Sequence, residues 1–226
     1  MCEILSMHLT TTLFDMDGLL IDSEILWHQA ELEILGALGV PLDRDGTRVT
    51  KGMFVSEVVA HWYRIAPWSA PSQTEVVAQV LDRVGELVET VGQLMPGAVR
   101  AIELSAERGA VGLASSTPVA LIERSLEHFG LLDRFAVVAS AADEQYGKPN
   151  PAVFLTAAQR LGADPAACLV YEDSAAGVLA AKAARMQCVA VPVKEERAQS
   201  AFAIADLVLT SLDELDVSWL DERFGR

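Results

Sequence analysis

Six short apolar runs limit most strongly how this chain can fold. They are Thr10–Phe14 (TTTLF), Ala110–Ala114 (AVGLA), Phe135–Ala139 (FAVVA), Cys168–Tyr171 (CLVY), Cys188–Val191 (CVAV) and Leu207–Leu209. The runs are nearly continuous rather than alternating, which is how strands covered on both faces of a parallel sheet read. From Pro96 onward the segments between them carry helix punctuation. Pro96–Gly97 opens a helix that closes at Gly109. Thr117 as N-cap, with Pro118 at the first helical position, opens one that runs to Gly130. Asn150–Pro151 repeats the signal, with a stop near Gly162. Strand and helix alternate to the end of the chain, so right-handed βαβ units and a doubly wound, Rossmann-like α/β parallel sheet are expected.

The alternation fails between about Ser23 and Leu94. Ile25, Leu32, Leu35 and Leu38 sit at helical spacing, as do Val55, Val58, Val59 and Trp62. Ser72–Glu75 (SQTE) is a capping-box pattern, and it opens an apolar stripe at Val77, Val80, Val84, Leu87 and Val91. No strand signal interrupts the region. The expected organisation is a core of residues 1–20 and 95–226 with an all-helical domain, residues 21–94, inserted after the first strand.

Charge and cysteine content narrow the function classes. The net charge of −15 repels phosphate backbones and anionic lipid, so general binding to nucleic acid or to a membrane surface is disfavoured. A small anionic substrate needs a local cation or a helix N-terminus to offset that field. Cys2, Cys168 and Cys188 form no CxxC, and three is an odd number, so neither a disulfide framework nor a structural zinc site is expected. The stretch Met1–Thr12 lacks the pattern of a signal peptide, and no run approaches the roughly 20 apolar residues of a membrane span. A cytoplasmic protein is expected, a monomer or weak homo-oligomer, since nothing demands a dimer.

Chemistry-bearing residues fall where the strands end. Asp15-Met16-Asp17-Gly18 follows the first strand, and open parallel sheets bind ligands at the carboxyl ends of their strands. Two adjacent carboxylates require a bound cation or a raised pKa, and they can divide the roles of nucleophile and acid–base group. An isolated DxDG also reads as an Asx-type turn. Ser115 and Ser116 stand between a strand and a helix entry, where hydroxyls and free N–H groups make an anion site or simply cap the helix. Lys148, in Gly147-Lys148-Pro149-Asn150-Pro151, is a cation on a loop restricted by its prolines. Glu172-Asp173-Ser174 offers oxygen ligands to a hard cation such as Mg²⁺, or a helix cap. Each feature alone has a structural explanation. Four strand ends carrying acid pair, hydroxyls, cation and acid pair point to one site.

The pieces LFDMDGLLIDSE (Leu13–Glu24), GLASST (Gly112–Thr117), GKPNPAVF (Gly147–Phe154) and YEDSAAGVLAAKAA (Tyr171–Ala184) occur in this order and together resemble the haloacid dehalogenase superfamily of phosphohydrolases. The resemblance extends over nearly the whole chain. It is strongest to the β-phosphoglucomutase-like branch, and within it to bacterial hexitol and 2-deoxyglucose-6-phosphate phosphatases. It implies that Asp15 attacks phosphorus and forms an aspartyl-phosphate, while Asp17 protonates the leaving alcohol and then activates water. It implies that Ser115 and the Ser116 backbone hold phosphoryl oxygens and that Lys148 neutralises the phosphoryl group and Asp15. Mg²⁺ would be held by Asp15, the Asp17 carbonyl and Asp173, with Glu172 bound to it or beside it. The insert becomes a cap over the site, for which Trp27, Lys51, Gly52, Phe54 and Trp62 are candidate contacts. His28 is expected to pack, being on the stripe of Ile25 and Leu32, and His8, His61 and His128 have no partner pattern.

One departure bears on the reaction. Several relatives carry an Arg just after the glycine of a TKG-like segment; here Thr50-Lys51-Gly52 is followed by Met53, Phe54 and Val55. A mutase needs a group for a second phosphate, and Arg suits that role. The resemblance therefore favours a Mg²⁺-dependent phosphatase of small phosphorylated metabolites, sugar or sugar-alcohol phosphates, over a phosphomutase, with Lys51 as a partial substitute. A dehalogenase proper would need neither Asp17 nor the Glu172-Asp173 pair. A phospho-acceptor signalling domain would have its acceptor Asp on a later strand and no helical insert.

Overall fold

The computed structural model describes residues 8–43 and 53–225; the expectations attached to Lys51 and Gly52 lie outside that set. All six expected strands form: β1 (Thr11–Phe14), β2 (Ala110–Ser115), β3 (Val137–Ser140), β4 (Cys168–Glu172), β5 (Gln187–Ala190) and β6 (Leu207–Val208). They make one parallel sheet in the order β3-β2-β1-β4-β5-β6. β3 starts two residues later than its apolar run, because the Phe135 N–H bonds back to Leu132 and closes a turn (3.1 Å).

Every residue of β1 and β4 is buried, and alternate side chains point to opposite faces. Phe14 and Tyr171 stack on one face at 4.7 Å. There they meet α4 (Ala98–Ala106), α5 (Val119–His128) and α8 (Val217–Phe224). Leu13 and Val170 face the other way, onto α6 (Ala152–Arg160) and α7 (Ala175–Ala183). With all strands parallel, their carboxyl ends share one edge. β1 has β2 on one side and β4 on the other, so the crevice at that edge opens beside β1.

The insert contains α1 (Glu24–Ala37), α2 (Val55–Ile65) and α3 (Gln73–Val91). These helices share a hydrophobic cluster of their own, built from Leu26, Leu35, Val59, Trp62, Val80 and Val84 among others, which also takes in Leu121 of α5. Arg124 of α5 adds a two-pronged pair to Glu89 of α3, at 2.8 and 2.7 Å. The two strands of chain entering and leaving the insert run side by side: Asp22 N–H bonds Gln93 (2.9 Å) and Met95 N–H bonds Leu20 (2.8 Å).

The helical stripes differ from expectation in phase. Ile25 is 63% exposed, and α1 instead buries Leu26, Ala30, Glu31 and Leu35. Val91 is exposed, and Val76 is fully buried in the cluster while Val77, partly buried, packs against it. Both helices carry apolar residues on adjacent faces, and packing against neighbours decides which face is buried. Thr117 is not an N-cap either: Pro118 holds that position in α5.

The capping box at the start of α3 forms as expected. Ser72 Oγ accepts from Glu75 N–H (3.3 Å), and Glu75 accepts from Ser72 N–H (2.8 Å). Ser72→Ala is therefore expected to lose about 1 kcal/mol of stability, measured by urea denaturation, with turnover unaffected.

Candidate active site at the carboxyl edge of the sheet

Asp15 is the first residue beyond β1, and its N–H still bonds the β4 carbonyl of Tyr171 (3.0 Å). That bond holds the carboxyl at the sheet edge. Lys148 reaches it from the loop between β3 and α6, and Glu172 ends β4. Lys148 Nζ donates to Asp15 Oδ1 at 2.6 Å, to Glu172 Oε1 at 2.5 Å and to the Ala114 carbonyl at 3.1 Å, which uses all three ammonium donors. These side chains are 6% (Lys148), 8% (Asp15) and 1% (Glu172) exposed, so water screens the trio little. Burial alone would discharge Lys148, but Asp15 and Glu172 outweigh it and hold the ammonium protonated. Asp15 is left short of positive charge. Its pKa is raised from 3.8 to about 7: burial is the largest cause, Lys148 opposes it, and Glu172 and Asp17 add to it.

Glu172 is held from both ends. Its Oε2 accepts from the Ser174 N–H (2.8 Å) and hydroxyl (2.9 Å), while Ser174 Oγ caps α7 by accepting from Gly177 N–H (3.0 Å). A Cβ at Gly177 would overlap the Glu172 carboxylate, so glycine is needed there. The same logic applies at Gly18, where φ is +76° and a Cβ would overlap Asp173. Asp173 thus lies against the Asp15–Gly18 loop.

Asp17 receives four hydrogen bonds, two from each side of the crevice. Ser23 Oγ (2.6 Å) and Trp27 Nε1 (3.0 Å) donate to Oδ1 from the start of the insert. Thr117 Oγ1 (2.7 Å) and Ser115 Oγ (3.3 Å) donate to Oδ2 from the β2–α5 junction. Ser23 occupies the N-cap position of α1 but makes no capping bond; its hydroxyl serves Asp17 instead. Ser115 also accepts from Thr117 N–H (3.2 Å). Sequence reasoning missed Thr117 and Ser23. Both were read within motifs, and only the fold brings their hydroxyls onto Asp17.

These groups open into a cleft of about 570 Å³ between sheet edge and insert. Asp15, Asp17, Ser115, Ser116, Trp27, Phe54, Lys148, Glu172 and Asp173 all line it. Trp62 does not, because it is buried in the helical cluster. His28 does, contrary to its expected packing role, because α1 turns the face of Glu24, Trp27, His28 and Glu31 toward the cleft. Among the described residues, the lining holds seven carboxylates and Lys148 as its one Lys or Arg, so an anionic substrate needs further positive charge. No three His, Cys, Asp or Glu side chains gather as a metal cage among the described residues. Mg²⁺ does not require one, since it keeps several waters and takes one or two carboxylates. Asp15, Asp173 and the Asp17 backbone carbonyl form an oxygen-only set that suits it, and the charge deficit at Asp15 fits a cation there.

Residues 9–185 match the family of haloacid dehalogenase-like hydrolases. Hexitol phosphatase B of Escherichia coli K12 is 45% identical over 205 residues, covering 90% of this chain and 92% of that protein. The E. coli fructose-1-phosphate phosphatase YqaB is 32% identical over 188 residues, 79% of this chain and 94% of its own. Among solved structures, CbbY from Rhodobacter sphaeroides in complex with phosphate superposes with a TM-score of 0.84 at 29% identity, covering 94% and 99% of the two chains. β-Phosphoglucomutase from Clostridium difficile shares the fold, with a TM-score of 0.80 at 22% identity over 96% and 97%. The chain belongs to the haloacid dehalogenase-like hydrolases, as an enzyme of the phosphatase kind that these relatives represent.

Proposed function

We propose that this enzyme hydrolyses monophosphate esters of small polyols and sugars, hexitol and hexose phosphates foremost, by way of an aspartyl-phosphate on Asp15. The observation that carries the reading is the division of labour between two carboxylates two residues apart. Asp15 is paired to Lys148 at the sheet edge, while Asp17 is held apart from that cation by hydroxyls and an indole N–H. Such unlike surroundings suit one carboxylate to nucleophilic attack and the other to proton transfer.

In the proposed reaction an Asp15 oxygen attacks phosphorus in line with the ester oxygen. The P–O ester bond breaks, and Asp17 gives its proton to the departing alkoxide, releasing the alcohol. Asp17 then takes a proton from water as that water attacks the aspartyl-phosphate. Inorganic phosphate leaves, and Asp15 and Asp17 return to their starting states. Ser115 and the Ser116 backbone contact the phosphoryl oxygens, and the Lys148 charge beside Asp15 offsets theirs; with little covalent chemistry to perform, such groups act through position and charge. Glu172, with both oxygens taken by protein donors, is a positioning residue for Lys148. Asp15, Asp173 and the Asp17 carbonyl would hold Mg²⁺, which would supply positive charge to the phosphoryl oxygens. The insert acts as a cap that excludes water and selects the alcohol.

Hydrolysis is favoured over phosphate migration within a sugar because Met53, Phe54 and Val55 line the cleft, and among the described residues Lys148 is its one Lys or Arg. A retained second phosphate would need a charged partner there. The size of the cleft and the hexitol and fructose 1-phosphatase relatives support a polyol or sugar alcohol portion.

The deciding experiment is phosphate release from hexitol, hexose and nucleoside monophosphates with Mg²⁺ and with EDTA. Hexitol and hexose esters are expected to turn over and EDTA to stop them; release from nucleotides alone would refute the substrate class. Asp15→Asn should lower turnover about 10⁴-fold or more, and Lys148→Met about 10²- to 10³-fold, with circular dichroism unchanged. A pH dependence follows from Asp15. Its folded pKa lies above 3.8, so the protonated acid favours the fold, and that contribution is complete below pH ~4 and lost as pH rises through about 7. In EDTA, the stability advantage of wild type over Asp15→Asn should therefore shrink from pH 4 to pH 7, as read by denaturant titration. Adding Mg²⁺ at pH 7.5 should raise the melting temperature of wild type more than that of Asp15→Asn.

A further inference from the structure

Glu31 has no part in the reaction above, yet it is 7% exposed and lines the same cleft. One of its carboxyl oxygens, Oε2, is fully buried with no hydrogen-bond partner. A fold rarely carries such a group without a reason, because an unsatisfied buried acceptor forfeits its hydration. Burial pushes the Glu31 pKa up to about 7, so the carboxyl can donate as well as accept near neutral pH.

Its position indicates the missing partner. Glu24, Trp27, His28 and Glu31 are spaced three, four and seven along α1 and share the face that lines the cleft. Trp27 on this face bonds Asp17, so the face begins at the reacting groups and Glu31 lies one turn further along the helix. Val58, Val77 and Leu81 of the neighbouring helices are further parts of the lining. A ligand here meets apolar wall, the Trp27 indole, the polar groups of Glu24 and His28, and the carboxyl of Glu31. A metal ion is a poor match, since no ligating cluster forms among the described residues. Among the described residues, a second phosphate would meet carboxyls on this face and no Lys or Arg. A neutral hydroxyl matches, and the volume of about 570 Å³ accepts a six-carbon ester.

We infer that Glu31 is a specificity-determining residue that hydrogen-bonds a hydroxyl of the substrate's polyol or sugar portion, away from the phosphate. The inference rests on the phosphatase reading of the cleft and adds to it how the alcohol is recognised. A site built to bind a hydroxyl discriminates strongly against analogues without one, because its own polar group is then left unpaired.

The test compares kcat/KM for sorbitol 6-phosphate and for phenyl phosphate in wild type, Glu31→Leu and Glu31→Gln. Glu31→Leu should lower the value for sorbitol 6-phosphate roughly tenfold to a hundredfold, leave phenyl phosphate within about twofold, and melt no lower than wild type, since an unsatisfied buried polar group is gone. Glu31→Gln keeps the shape and should show the same selective loss, smaller but at least about threefold. If Glu31→Leu fails to fold, Glu31→Gln alone decides. Equal losses on both substrates, or no loss on sorbitol 6-phosphate, would overturn the inference while leaving the phosphatase reading standing. So would a wild-type enzyme that cleaves phenyl phosphate but no polyol or sugar ester. A wild type that cleaves no phosphate ester would remove the reading itself, and the inference with it.

Discussion

The buried ammonium of Lys148 is the interaction on which the site depends. It joins Asp15 beyond β1, Glu172 at the end of β4 and the Ala114 carbonyl of β2, so one cation ties three adjacent strands at their carboxyl ends. Charges at this depth are tolerated only when paired and hydrogen-bonded. The Lys148 donors are all satisfied, and Glu172 is completed by Ser174. Asp15 carries the remaining imbalance as a raised pKa. The one carboxyl that the arrangement leaves incompletely neutralised is the one that faces phosphorus in the proposed reaction.

Much of the neighbouring sequence follows from that arrangement. Gly177 leaves room for the Glu172 carboxylate, and Ser174 both caps α7 and holds Glu172. Gly18 makes room for Asp173 with a backbone conformation that side chains disfavour. The motif residues serve the geometry of a few oxygen atoms as much as they serve chemistry. The small residues among them are spacers for carboxylates.

Asp17 joins the reacting edge to the helical insert. Two of its hydrogen bonds come from Ser23 and Trp27, and two from Ser115 and Thr117. The orientation of this carboxyl is therefore shared between the sheet edge and the insert, whose hydrophobic clusters also meet at Phe129. In the proposed function this coupling lets the group that selects the alcohol also set the group that protonates it. Glu31, one helical turn from Trp27, extends the same face of α1 toward the alcohol.

What the sequence by itself determined was local. Continuous apolar runs identified all six strands to within about two residues, because burial on both faces, complete in β1 and β4, leaves no alternation. The SQTE box marked the start of α3, because a cap satisfies backbone groups within four residues. Strand-end acids, hydroxyls and lysine were legible because a parallel sheet gathers its carboxyl ends at one edge whatever the helices do. The tertiary structure decided what depends on which face of a helix finds a neighbour. It exposed Ile25 and Val91 and brought His28 and Glu31 to the cleft. It buried Trp62 in the helical cluster, turned the Thr117 hydroxyl from a cap into a donor for Asp17, and brought the Ser23 hydroxyl to the same carboxyl. Helices with apolar residues on adjacent faces do not encode their own rotation. Packing against distant segments sets it, and with it which polar side chains meet the substrate.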